Sequence, residues 1–395
     1  MCALPKLNYS RRSKLTIAHR NRKKLARRSQ LMQAADVSSN FLGFDYAEFY
    51  VGSAAAWEYL HWKAFGFRPV AYSGPETGRK DSVSYVMEQG TMRLVLTASL
   101  SGDSEIARHV SRHGDGVKDV AMTVTDVDTV AQTLASNGAI LISHPKEEKD
   151  DSGYLRRAVI GGYGDTVHSL IDRSQYRGTF RPGYEPLHED ASPVGFVKID
   201  HVVGNVEEGK MDHWVNYYLK NFGFKQLMSF DDKDISTEYS ALRSKVVHDG
   251  KRRVVMPINE PAKGRKKSQI EEFLDYYRSP GVQHIAIRTE NIVNAVSEMR
   301  SRGVVFLDTP DSYYEKLSER VGGIDEPIEE LRKHRILVDR DDAGYMLQIF
   351  TKPVGDRPTF FYEIIERKGG ESFGKGNFKA LFESIEREQA KRGNL

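Results

Sequence analysis

The chain repeats itself, and that restricts its fold more than any other feature. Residues 116–145 (GVKDVAMTVTDVDTVAQTLASNGAILISHP) align without a gap on residues 281–310 (GVQHIAIRTENIVNAVSEMRSRGVVFLDTP). In both, a strand-like run leads to an acidic residue, Asp126 or Glu290, near a helix start. A carboxylate there meets free N–H groups and the positive end of the helix dipole. A glycine, Gly138 or Gly303, closes the helix, and an apolar strand runs on to Pro145 or Pro310. A second pair, 44–67 and 199–224, passes from an alternating strand through an aromatic-rich helix to Phe-Gly-Phe. Trp214, Tyr217 and Tyr218 follow helical spacing, and Gly66 and Gly223 suit a left-handed helix end. A shorter match relates SLIDR at 169–173 to EIIER at 363–367.

These matches predict an α+β fold, a two-domain duplication of paired βαβββ modules. The first domain is expected over 39–185 and the second over 195–372. Between them lies a linker with Pro182, Gly183, Pro186 and Pro193. Apolar residues make up 39% of the 395 residues, enough for a sizeable core. A net charge of +3 gives the whole chain no polyelectrolyte character. The single cysteine, Cys2, excludes an intramolecular disulfide and a thiolate metal cluster. That usage implies an intracellular, cytoplasmic setting. No apolar run is long enough for a membrane helix.

Residues 1–38 read as a disordered basic leader. No acid precedes Asp36, whereas ten Lys and Arg residues lie between Lys6 and Arg28. An organelle-targeting segment has the same composition, so organellar localisation is the alternative. No aromatic residue follows Tyr9 among these charges, which argues against a nucleic-acid arm. The charge runs at 146–151 and 263–267 read as solvated loops.

Aligning the halves exposes the chemistry. The second half carries His201, His284 and Glu363 where the first has Tyr46, Asp119 and Ser169. A lone strand histidine is ordinarily a packing residue, and His61, His113, His213 and His334 are read as packing or surface residues. Two histidines and a glutamate in register with the duplication are different. Two imidazoles and one carboxylate on one face of an octahedron leave three positions open, the arrangement of non-haem Fe(II) oxygenases. One Fe(II) per subunit is expected. Zn²⁺ would accept these ligands but cannot pass an electron to O₂, and Mn²⁺ stays open on ligand grounds.

Several blocks then resemble one family. IDHVVGN (199–205), PINEP (257–261), KSQIEEFLDYY (267–277) and GVQHIAI (281–287) are similar to 4-hydroxyphenylpyruvate dioxygenases. So are LQIFTKPVGDRPTFFYEIIERKG (347–369) and FGKGNFKALFESIEREQAKRG (373–393). The likeness covers roughly residues 40–393 and is stronger in the second half; the basic leader departs from it. It implies the vicinal oxygen chelate fold, with open barrel-like sheets, a ligand-free first domain and a homodimer. It also implies conversion of 4-hydroxyphenylpyruvate and O₂ to homogentisate and CO₂ in tyrosine degradation. Hydroxymandelate synthase, with the same substrate and triad, is the nearest rival. A catechol-cleaving dioxygenase and a non-enzymatic binding module stand further off.

The resemblance also assigns side chains. Ser244, Asn259 and Gln269 fall to the phenol end of the substrate, where neutral groups donate and accept without adding charge. Gln348 falls to the substrate face, and Phe350 and Phe378 to the two sides of the ring. Pro257, Phe361, Phe373, Gly374 and Asn377 are expected in the pocket. Gln283 precedes a ligand, so on a regular strand it should point away from the metal and act from behind it; the resemblance nevertheless places it among the substrate-binding residues. Residues 373–395 are expected as a lid helix over the active site: Phe378, Leu381, Phe382 and Ile385 share one face, and Gly369, Gly370, Gly374 and Gly376 could act as hinges.

Overall fold

The computed structural model describes residues 35–231 and 236–394; the basic segment discussed above lies almost wholly outside them. The first half starts with β1 (Phe41–Tyr50), α1 (Ala54–Lys63), β2 (Arg68–Ser73), β3 (Ser82–Gln89) and β4 (Met92–Ser99). Helix α2 (Glu105–His113) leads to β5 (Gly116–Val124), α3 (Val127–Asn137), β6 (Leu141–Asp150), β7 (Gly153–Gly161) and β8 (Val167–Asp172). These are two βαβββ modules, and their strands form one sheet in the order β6-β7-β8-β5-β1-β4-β3-β2. A two-residue strand in the linker, β9 (Glu185–Pro186), pairs with β2.

The second half repeats the plan. It runs through β10 (Phe196–Asn205), α4 (Met211–Tyr217), β11 (Lys225–Phe230), β12 (Ala241–His248) and β13 (Val255–Ala262). After α5 (Gln269–Tyr277) come β14 (Gly281–Thr289) and α6 (Ile292–Ser301). Three short helices follow: α7 (Ser312–Glu315), α8 (Leu317–Val321) and α9 (Ile328–His334). Strands β15 (Leu337–Asp341), β16 (Gly344–Phe350) and β17 (Phe361–Lys368) complete the sheet, in the order β11-β12-β13-β10-β14-β17-β16-β15. Helix α10 (Phe378–Lys391) closes the chain. The fold is α+β, with two curled sheets and a C-terminal helix.

Local chemistry explains the helix ends. Asp126 accepts the backbone N–H of Thr129 at the start of α3, and Gly138 ends it in the left-handed conformation. Ser268 and Glu271 cap α5 reciprocally. In the second half Asn291, not Glu290, supplies the cap of α6. Two further expectations change. The apolar run before Pro310 makes only an isolated bridge, Phe306 to Thr351, and the sheet edge passes to β15 beyond the inserted helices. The charge run 146–151 is largely strand, at the sheet edge in β6, where charges discourage edge-to-edge pairing. The run 263–267 is loop, as expected.

One apolar core runs through both halves. Phe41 of the first half packs against Phe222 and Phe224 of the second, and Phe49 against Phe360. Buried Tyr362 and Tyr218 point from the second half into the first and meet His61 and His168. These two histidines are fully buried and hydrogen-bonded; His113 and His334 are buried too, while His213 is exposed.

Candidate metal centre

Three neighbouring strands bring the triad together: His201 from β10, His284 from β14 and Glu363 from β17. Ala286 is in register with both His201 and Glu363, so a small side chain stands between them. Glu363 Oε2 lies 3.2 Å from His201 Nε2 and 3.4 Å from His284 Nε2. The ligand atoms all lie within 4.8 Å of one another, and all three residues are buried. Such a set can hold a metal ion. Tyr46, Asp119 and Ser169 occupy the same register in the first half. There Tyr46 and Ser169 hydroxyls both donate to Asp119, so a hydrogen-bonded cluster fills the equivalent place.

The residue before each histidine fixes its ring. The β10–β14 ladder slips by one residue at Asp200 and again at Gln283. A bulge of this kind breaks strict alternation. Asp200 Oδ1 sits 2.9 Å from His201 Nδ1, and Gln283 Oε1 sits 3.1 Å from His284 Nδ1. With Nδ1–H donating to these oxygens, each Nε2 is left to face Glu363 as a lone pair. The expectation that Gln283 points away from the metal is therefore corrected: the bulge turns it into the cavity wall. Burial opposes charge on His201, but the carboxylates of Glu363 and Asp200 outweigh it and push its pKa up to about 9. Burial likewise opposes charge on Glu363, yet the two imidazoles hold it down to about 2. Burial, aided by the charge of His201, lowers His284. The pocket therefore favours a carboxylate with positive charge beside it, which a divalent cation would supply.

The triad lines one side of a cavity that is mostly apolar with a few polar groups, the make-up usual for a small-molecule site. Gln348, Phe350, Phe361 and Phe373 surround the metal-ligating groups. Phe361 stacks on His284 with ring centres 4.8 Å apart, and Phe373 meets His201 edge-on at 5.1 Å. The wall also carries Ser244, Pro257, Asn259, Gln269 and Gln283. Helix α10 contributes Phe378, Leu381 and Phe382, and Phe378 meets Phe230 edge-on at 5.3 Å. Gly374 and Asn377 are not among the lining residues. Gly374 abuts the Gln348 amide from behind, and Asn377 accepts from Tyr313 OH at 2.6 Å. Phe230, Leu242, Val246 and Val203 line the cavity without having been expected there. Leu242 and Val246 were findable, because they alternate with Ser244 along β12.

Fold and donor set together define a protein of the glyoxalase–dioxygenase type whose triad can hold a metal ion. A family profile described as Glyoxalase/Bleomycin resistance protein/Dioxygenase superfamily matches residues 198–349. A 4-hydroxyphenylpyruvate dioxygenase of Yarrowia lipolytica is 45% identical over 90% of this chain and 94% of its own length. One of Xenopus tropicalis is 47% identical over 90% and 93%. Among solved structures, a triple mutant of 4-hydroxymandelate synthase from Streptomyces coelicolor aligns with TM-score 0.78 and 31% identity, covering 89% of this chain and 99% of its own. The chain belongs to the 4-hydroxyphenylpyruvate dioxygenase family.

Proposed function

We propose that the chain is an Fe(II)-dependent dioxygenase that converts 4-hydroxyphenylpyruvate and O₂ to homogentisate and CO₂, a step of tyrosine degradation. The observation that carries this reading is the buried His201–His284–Glu363 set on the wall of a phenylalanine-rich cavity. Ferrous iron, one per subunit, would supply the electrons that activate O₂ and a positive centre for the 2-oxo acid. The reaction balances without a second oxo acid, because the substrate carries its own.

The protein's work is to orient the ring and keep water out. Phe350 and Phe378 hold the ring between them in this reading, with Phe361 and Phe373 closing the metal end. Ser244, Asn259 and Gln269 receive the phenol hydroxyl. Gln348, whose buried Oε1 has no partner among the described residues, stands at the 2-oxo acid end. Gln283 bridges the two ends, touching His284 and, at 3.5 Å, Gln269. Helix α10 covers the cavity and limits the loss of reactive species to solvent. The same reading takes the enzyme as a homodimer, and as cytoplasmic in keeping with the single cysteine.

The test is anaerobic reconstitution with Fe(II), addition of 4-hydroxyphenylpyruvate and O₂, and chromatography of the products. Homogentisate and CO₂ in equal amounts, lost in His201→Ala, support the reading. Hydroxymandelate would move the chain to the synthase reaction, and inactivity with iron bound would refute the substrate. Protein loaded with Zn²⁺ should bind the substrate and turn nothing over.

A further inference from the structure

A second cavity lies on the far side of Phe373 from the metal site, and Phe373 lines both. Its lining differs from that of the first. Leu227, Val255 and Phe373 are its apolar side chains, and Lys198, Arg252, Arg288 and Arg367 its cations, with Arg367 lying 5.6 Å over the Phe373 ring. Two of these cations are neutralised within the cavity. Arg367 pairs with Asp200 at 2.8 Å, and Arg252 with Glu371 at 2.5 Å. Lys198 and Arg288 are left over. Lys198 has no carboxylate partner among the described residues, and Arg288 has only exposed Glu290 at 3.9 Å.

Lys198 and Arg288 also face each other directly across the β10–β14 ladder. Like charges at such positions destabilise a sheet. Lys198 is exposed and Arg288 half-buried, so solvent screens part of the repulsion and both cations stay open to a ligand. Two weakly partnered cations beside apolar side chains match a ligand with one carboxylate and one aromatic ring.

Resting on the function proposed above, we infer that this cavity is a docking vestibule for the aryl 2-oxo acid. Lys198 and Arg288 collect the carboxylate, Leu227 and Val255 receive the ring, and Phe373 is the door to the metal site. No bond is made or broken there; the vestibule raises the rate of capture and leaves the chemical step alone.

The experiment is anaerobic stopped-flow binding of 4-hydroxyphenylpyruvate to the iron-loaded full chain, with turnover measured in parallel. The Lys198→Glu/Arg288→Glu double variant should bind about tenfold more slowly at low salt, with kcat within about twofold of the parent. The difference should vanish near 1 M salt, where the screening length is about 3 Å. Lys198→Gln, milder and expected to fold, should slow capture while raising the unfolding temperature, which a purely structural lysine would not do. An unchanged association rate in both variants, with homogentisate still formed, overturns the vestibule alone. Failure of the parent to bind the compound overturns the substrate reading and the vestibule with it.

Discussion

Asp200 and Arg367 form a two-pronged ion pair, with nitrogen–oxygen distances of 2.9 and 2.8 Å, directly behind the His201 ring. The pair has a twin. Asp45 and Arg173, at the equivalent positions of the first half, are joined at 2.7 Å, and Asp45 also sits at a slip in the strand register. The first half has no triad, so the pair belongs to the duplicated fold. The second half additionally uses its Asp to hold a ligand.

That double use predicts a separable effect. Asp200→Asn keeps the shape of the side chain but weakens its grip on the His201 Nδ1–H. Iron affinity should fall about 10- to 100-fold, as is usual when the partner of a metal-binding histidine is altered. Asp45→Asn should cost comparable stability and leave iron affinity untouched. Metal titration beside urea unfolding of the two variants checks this. Equal iron affinity in both would reduce Asp200 to a structural residue.

The halves are also joined by two crossed bonds. His61 Nε2 accepts from Tyr362 OH at 2.8 Å, and His168 Nε2 accepts from Tyr218 OH at 2.7 Å. Each Nδ1–H donates to a backbone carbonyl, of Trp57 or Val120. Removing either hydroxyl leaves a buried nitrogen without its donor, at a cost of about 1–3 kcal/mol. Tyr218→Phe should lower stability in that range in urea unfolding, with the metal site intact. No loss would mean that the bond contributes nothing net.

The same histidines set an acid limit. Burial holds both pKa values down to about 4, against about 6.5 in an unfolded chain. Above pH 6.5 neither state binds the proton and stability is unaffected. Between 6.5 and about 4 the unfolded chain takes protons that the fold refuses, so stability falls, by roughly 3 kcal/mol per histidine. Unfolding of the parent and of His168→Gln across that range checks it. The stability advantage of the parent should shrink as pH falls, and parallel curves would assign the acid sensitivity elsewhere.

Much of the site could be read from the chain because duplication works as an internal alignment. His201, His284 and Glu363 stand out only when set against Tyr46, Asp119 and Ser169. What stayed hidden depended on breaks in regularity. Asp200 and Gln283 occupy bulges, and a bulge reverses the facing that alternation assigns. The strand before Pro310 looked equivalent to its partner, yet the helices between Ser312 and His334 move the sheet edge elsewhere. Asn377 shares a motif with Phe373 and Phe378, yet its side chain turns to Tyr313 and Arg320, which come from that insertion, without counterpart in the first half. Gly374 of the same motif abuts Gln348.

Helix α10 is fastened at its far end as well as over the cavity. Arg392 reaches buried Glu272 on α5 at 2.7 and 3.0 Å, and Asn394 adds a bond at 2.9 Å to the same carboxylate. Glu386, also buried, accepts from the Ser240 hydroxyl at 2.6 Å. Arg392→Ala leaves Glu272 short of its counter-charge, and the helix end should detach before the sheets do, because its anchor lies outside the main core. Amide exchange should quicken over 378–391 while β14 and β17 stay protected. If the helix shields the reaction from water, kcat should fall about tenfold or more, with O₂ consumed in excess of homogentisate formed. Deleting residues 373–395 should abolish turnover and spare the fold. Full, tightly coupled turnover in Arg392→Ala with an unprotected helix would show that the cavity does not need its cover.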